Sequence, residues 1–333
     1  MSNIHTPEQT KIALLWELFL TIGCKARNPE ARTSQASDHL TIIPFKLPLA
    51  ASVDSSQLAG LTFPTALRRI WSAMTDYLNE IWRTRFFWMS LVRMDLRAKY
   101  RGSALGMGWS LIQPIAMTTV FCGVSATLFH QEIASFAPYV MTGLTLWSFF
   151  SQCTSMGCYI FHQAEAYIRQ HPAPMAIYPI RLMLANTFHL LIALSLAIAL
   201  SIWGTGFPGI LPLLSLVPSL LLIMIMGWSI SCLLGILNVY FRDVKHITEV
   251  ALQILMYLTP IWYPEQLLRE KGLSWLVNAN PIVPFLTLVR TPLLTHEVPS
   301  VEMYGLATII AGGFFLLAAL NLRQRESRLI FFL

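Results

Sequence analysis

Charge is what this chain has little of. Asp, Glu, Lys and Arg make up only 12% of its 333 residues, about half the share of an ordinary soluble domain. The acids are the scarcer sign, 17 against 23 bases. Carboxylates this sparse cannot furnish the intramembrane acids of a proton- or sodium-coupled carrier, and no inverted repeat is evident. They also leave an integral-membrane glycosyl- or acyltransferase with only Asp95 and Asp243 as tempting acids. Cysteine is scarce as well: there are five, with no Cys-x-x-Cys pair. Cys122, Cys153, Cys158 and Cys232 fall inside apolar runs, where a free thiol behaves as a small hydrophobe, so neither a disulfide framework nor a zinc site is indicated. No lysine is followed by Ser or Thr, so the chain has no Gly-x-x-x-x-Gly-Lys-Ser/Thr phosphate loop. No catalytic cluster or metal-ligand spacing emerges either. If ATP does work here, another polypeptide binds it.

What the chain does have is long uncharged runs, with 55% of its residues hydrophobic. They predict an all-α integral membrane protein with six transmembrane helices at about 109–129, 137–161, 182–203, 210–239, 247–263 and 304–322. Residues 66–101 read as an amphipathic interface helix region. Leu67, Ile70, Trp71, Met74, Leu78, Ile81 and Trp82 recur at helical spacing opposite Arg68, Arg69, Asp76, Glu80 and Arg83, the pattern of a helix lying at the membrane surface. Residues 102–333 form the transmembrane domain. Between spans five and six, residues 264–303 form an outer re-entrant or interfacial segment, in which Pro281–Leu294 is apolar, holds Arg290 and is too short to cross. Residues 1–65 read as a poorly defined cytosolic extension. Its apolar run from Ile12 to Cys24 is too short to span and is interrupted by Glu17.

The chain turns from surface to membrane between Leu91 and Pro114. Arg93, Arg97, Lys99 and Arg101 precede a run rich in small residues (Gly102, Ser103, Gly106, Gly108), and no charge follows Trp109 until Glu132. The cations must stay in water or among headgroups, and the glycines allow a sharp bend. With the amino terminus inside, 20 of the 23 cations fall on the cytoplasmic side and 3 outside. The positive-inside rule then puts both termini in the cytoplasm. The cations bracket apolar runs instead of forming a basic domain, so they point to anionic lipid and not to nucleic acid.

Arg93, Asp95, Leu96, Tyr100, Ser103, Leu105, Gly106, Trp109 and Pro114 reproduce a signature, Arg-x-Asp-Leu-x-x-x-Tyr-x-x-Ser-x-Leu-Gly-x-x-Trp-x-x-x-x-Pro. On these residues the chain resembles the membrane subunits of ABC-2-type polysaccharide exporters, which move O-antigen, capsular polysaccharide or teichoic acid. The run Tyr240-Phe-Arg-Asp243, the segment Tyr257–Pro264 and Asn280-Pro281 extend the resemblance, which covers about residues 66–330. It implies a permease subunit in the bacterial inner membrane that exports a lipid-linked polysaccharide such as O-antigen. It implies a homodimer working with two copies of a separate ATPase, which binds ATP and Mg; this chain would carry no cofactor. Export of another substrate (teichoic acid, capsule, lipid or drug) is the alternative.

By the same resemblance, the loop His162–Arg181 holds a short coupling helix that docks on the ATPase, with Tyr167, Ile168, Arg169, His171 and Pro172 as its candidates. The interface or gate region is Arg93, Asp95, Arg97, Lys99 and Arg101 with Arg242 and Asp243. Trp109, Tyr257, Trp262, Tyr263 and Arg290 are candidates for the substrate path, although for Trp262 and Tyr263 an interfacial aromatic belt is the better reading. His189, deep in a span without an acidic partner, reads as a hydrogen-bonded packing residue.

Overall fold

Apolar stretches without water must satisfy their own backbone N–H and C=O groups, and α-helix is the local solution. The structure, a computed structural model, describes residues 75–103, 106–129, 132–170 and 173–333, and every regular element in them is helical. Residues 1–65, the first part of the interface helix, Leu105, His171 and Pro172 lie outside the described residues.

The surface region consists of two helices, α1 (75–83) and α2 (Arg85–Tyr100). Thr84 separates them: its hydroxyl donates to the carbonyls of Glu80 (3.1 Å) and Ile81 (3.0 Å), a back-bond that bends helices. The Trp88 indole N–H closes the bend onto Ile81 O at 3.1 Å. Beyond α2 the chain turns into the bundle through Gly106, whose φ of +50° belongs to the left-handed region that glycine enters without strain. Gly102 is also left-handed, whereas Gly108 is not.

Among the described residues, five helices are long and apolar enough to cross a membrane: α3 (Trp109–Phe129), α4 (Ile133–Gly157), α6 (Ile177–Thr205), α7 (Ile210–Tyr240) and α12 (Val301–Phe332). A short amphipathic helix, α5 (Ile160–Gln170), joins α4 to α6. The most apolar stretch of α4 is 72% buried inside the protein, against 17% for α3 and α12, so α4 is the central post. It packs against α3, α6 and α7, and α12 runs along α7. Val140, Met141, Leu146 and Phe150 of α4 interlock with Ile223 and Met226 of α7 in this core.

The expected fifth span is shorter than its apolar run. Helix α8 (Val244–Leu258) has 15 residues, about 22 Å of rise against a hydrocarbon core of about 30 Å. Pro260 ends it, having no N–H and forcing the preceding residue out of helical space; Thr259 is extended at φ −86°, ψ 129°. Two six-residue helices follow, α9 (Glu265–Glu270) and α10 (Ser274–Ala279). The short apolar segment expected around Pro281–Leu294 is α11 (Val283–Arg290), prolonged by a π-helical turn at Thr291–Thr295. All but one residue of α11 are buried.

Arg290 closes the break after α8. Its guanidinium donates to the carbonyls of Pro260 (2.7 Å), Ile261 (3.1 Å) and Tyr139 (3.2 Å) and lies 3.6 Å from the centre of the Tyr139 ring. The Tyr139 hydroxyl donates to Tyr263 O at 2.8 Å and Pro260 O at 3.2 Å. The Asn280 amide donates to Thr259 Oγ1 at 2.8 Å. Gly143 makes room for this approach, since a Cβ there would sit 2.6 Å from Arg290 Nη2. Replacing Arg290 with Met should therefore lower unfolding stability by about 3 kcal/mol or more, because the freed carbonyls lose charge-assisted donors. Lys should rescue little, having no planar fork. Denaturant unfolding of the detergent-purified protein measures this; unchanged stability in Arg290→Met would show the clamp to be idle.

Candidate functional site

Helix α2 carries both polar faces of the surface-to-membrane turn. On the inward face, the Asp95 carboxylate accepts from both Nε and Nη2 of Arg181, near the start of α6. The Arg181 side chain is 11% exposed, so this pair is far better shielded than an ordinary surface ion pair. At the end of α2, the Tyr100 hydroxyl meets Ser110 of α3 and His189 Nδ1 of α6 (3.0 Å), and Ser110 Oγ also lies 3.0 Å from His189 Nδ1. His189 is thus a hydrogen-bonded joint between three helices. Lys99 reaches Gln152 of α4 at 3.2 Å. Arg93, Arg97 and Arg101 instead line a shallow cleft of about 960 Å³ with Phe86, Met89 and Met94. The row of cations read as one cluster is divided by helix phase into an arginine face and a lysine that points elsewhere.

Behind Lys99 and Tyr100 lies a second cavity of about 710 Å³, within the range of small-molecule sites. Its walls combine aromatic rings (Trp109, Trp147, Trp262) with amides (Gln113, Gln152, Asn186). Trp262 is fixed by stacking on Phe121 at 4.5 Å between ring centres. Of the residues expected on a substrate path, the structure brings Trp109 and Trp262 together here. Tyr257 and Tyr263 are not among the lining residues; the Tyr263 hydroxyl instead donates to Tyr257 O at 2.8 Å. Arg290 is also elsewhere, since its buried guanidinium is spent on backbone carbonyls. It is a buried structural clamp, set apart from the cavity lining.

The coupling candidates fall on α5 and the connection after it. Ile160, Ala164 and Ile168, one turn apart, face the protein's own core with Phe161, Tyr178 and Ile236. Ile168 is therefore an internal anchor and not an outward knob. Tyr167 is half-buried, its ring 6.0 Å from the Arg181 guanidinium carbon. The outward face is Gln163, Ala166, Arg169 and Gln170, with Arg169 paired to Glu165 at 2.9 Å. Arg242 and Asp243, between α7 and α8, are both exposed, and neither forms an ion pair among the described residues. No group of His, Cys, Asp and Glu that could hold a metal occurs among the described residues.

Comparison with known proteins agrees with this architecture. The sequence profile of the ABC-2 type transporter family matches residues 87–294. Over 234 residues the chain is 25% identical to the O-antigen export system permease protein RfbA of Myxococcus xanthus, covering 69% of this chain and 88% of that one. A protein of the same name from Klebsiella pneumoniae is 24% identical over 197 residues, 58% of this chain and 74% of its own length. The polysialic acid transport protein KpsM of Escherichia coli is 20% identical over 233 residues, 67% and 89% of the two chains. The chain belongs to the ABC-2 type transporter family, as a multi-pass membrane permease homologous to O-antigen and polysialic acid export permeases and a transporter subunit rather than a catalyst.

Proposed function

We propose that this chain is the permease of an ATP-driven exporter that moves a lipid-linked cell-surface glycan across the bacterial inner membrane. ATP and Mg are bound by a separate ATPase, present in two copies beside a homodimer of this chain. The observation that carries the reading is α5. It is a short helix between two long spans, anchored inward by Ile160, Ala164 and Ile168 and presenting Gln163, Ala166, Arg169 and Gln170 outward. Such a helix passes a push into the bundle because its inner face is locked into the core while its outer face is free to be gripped. The 710 Å³ cavity supports the substrate class. Flat aromatic rings stack on sugar rings, and the amides of Gln113, Gln152 and Asn186 match a hydroxyl-rich chain. A second copy would close its open side.

Reconstituting the permease with its ATPase tests this. Ala166→Trp should cut ATP-driven glycan export by about tenfold or more while leaving the folded fraction unchanged, since it adds bulk only to the outward face. Ile168→Asp should instead abolish accumulation of folded protein, because it buries an unpaired charge. Normal export by Ala166→Trp would place the ATPase contact away from α5.

The orientation places both termini in the cytoplasm. Single-cysteine reporters at Ser135 and Ser274 should react with an impermeant thiol reagent on intact cells, and one at Ala166 only after permeabilisation. Equal reaction at Ala166 in intact cells would invert the topology.

A further inference from the structure

The connection that leads from α5 into α6 is held by hydrogen bonds from helices far away in sequence. Helix α6 opens at Ile177 with Ala176 in the capping position, and alanine has no side-chain oxygen with which to cap the first turn. The amides there are all accounted for. Met175 N–H donates to Glu326 Oε1 of α12 at 2.7 Å, and Ala176 N–H to the Tyr77 hydroxyl of α1 at 3.4 Å. Ile177 and Tyr178 donate to Pro174 O and Met175 O, and Pro179 has no N–H. The Tyr77 hydroxyl in turn donates to Glu326 Oε1 at 3.1 Å. The Trp228 indole of α7 donates to Ala176 O at 3.4 Å. Burial, with the carboxylate of Glu326 beside it, holds the Tyr77 phenol above its ordinary range, so it stays a donor.

Glu326 forms no ion pair among the described residues; its neighbour Arg325 lies over the Tyr240 ring instead. A carboxylate at the amino end of a 29-residue helix is favourably placed in the helix field. Glu326 and Tyr77 also lie outside residues 87–294, the part that matches the transporter family.

We propose that Glu326, with Tyr77, is a positioning residue that caps α6 from a distance and binds the coupling connection to the last helix, so that displacement of α5 is delivered to α1 and α12 as well as to α6. The inference rests on the reading of α5 as the ATPase contact. Without the cap, the Ala173–Ala176 connection absorbs the push.

The test uses the full permease–ATPase complex with Glu326→Ala, Glu326→Gln and Tyr77→Phe. Hydrogen exchange at Met175 and Ala176 should speed up by about tenfold in Glu326→Ala, with the amides of α4 unaffected. In the same variant, glycan moved per ATP hydrolysed should fall by about threefold or more while ATP turnover itself stays near wild type. Glu326→Gln keeps an acceptor and should restore both readouts in large part. Tyr77→Phe, which removes a single hydroxyl and leaves the carboxylate in place, should show the same two effects in smaller measure. Unchanged exchange in Glu326→Ala would overturn the contact. Faster exchange with unaltered transport per ATP, or a loss of ATP turnover in step with transport, would overturn the positioning role. Should Glu326→Ala not fold, Tyr77→Phe decides by the same criteria. A wild-type complex without ATP-driven transport would sink the functional reading, and with it the delivery of force, while the exchange arm would still decide the contact.

Discussion

The ion pair between Asp95 and Arg181 fixes where the surface of this protein ends and its membrane part begins. Arg181 stands near the start of a long apolar helix, where an unpaired guanidinium would be costly to desolvate. Asp95 answers it with a two-pronged acceptor, and the partner it brings is the whole of α2. Once α2 lies along α6, Tyr100 comes within reach of Ser110 and His189, Lys99 reaches Gln152, and Trp109 lines the cavity with them. The left-handed glycines then have only to return the chain into α3. The amino end of the same α6 is gripped by Glu326 and Tyr77, so this helix collects the surface helices, the coupling connection and the carboxyl-terminal helix at one end.

The opposite problem is solved between α8 and α11. A proline ends a helix in an apolar setting and leaves carbonyls that water would ordinarily satisfy. The protein supplies the donors itself, with the fork of Arg290 and the hydroxyl of Tyr139, while the Asn280 amide holds the Thr259 hydroxyl beside them. Irregular backbone is tolerated at such a place only where protein shields it, and Gly143 lets that shield close.

Much of this was legible in the sequence, and the rest was hidden for identifiable reasons. The bend at Gly106, the long apolar helices and the short segment before the last one all follow from local composition. The partner of Asp95 does not, because Arg181 is 86 residues away and no local pattern joins them. The fifth span reads as 247–263 because hydropathy ignores hydrogen bonding, whereas Pro260, inside that run, ends the helix at Leu258. Arg290 looked available to a substrate because a lone cation in an apolar stretch advertises charge, whereas its partners are backbone carbonyls that no side-chain pattern reveals. Ile168 stands among the coupling candidates because resemblance places it in the loop from His162 and says nothing of which way it faces. The helix begins at Ile160, and Ile160, Ala164 and Ile168, spaced by four, form one stripe that packs into the core.

A double-mutant cycle across the pair that positions α2 tests this account most directly. Unfolding stability would be measured for the wild type, Asp95→Asn, Arg181→Gln and the double variant. The account predicts a coupling energy of about 1 kcal/mol or more, with the double variant little worse than either single one. Stabilities that add to within about 0.3–0.5 kcal/mol would contradict it, because they would mean that the two side chains do not depend on each other.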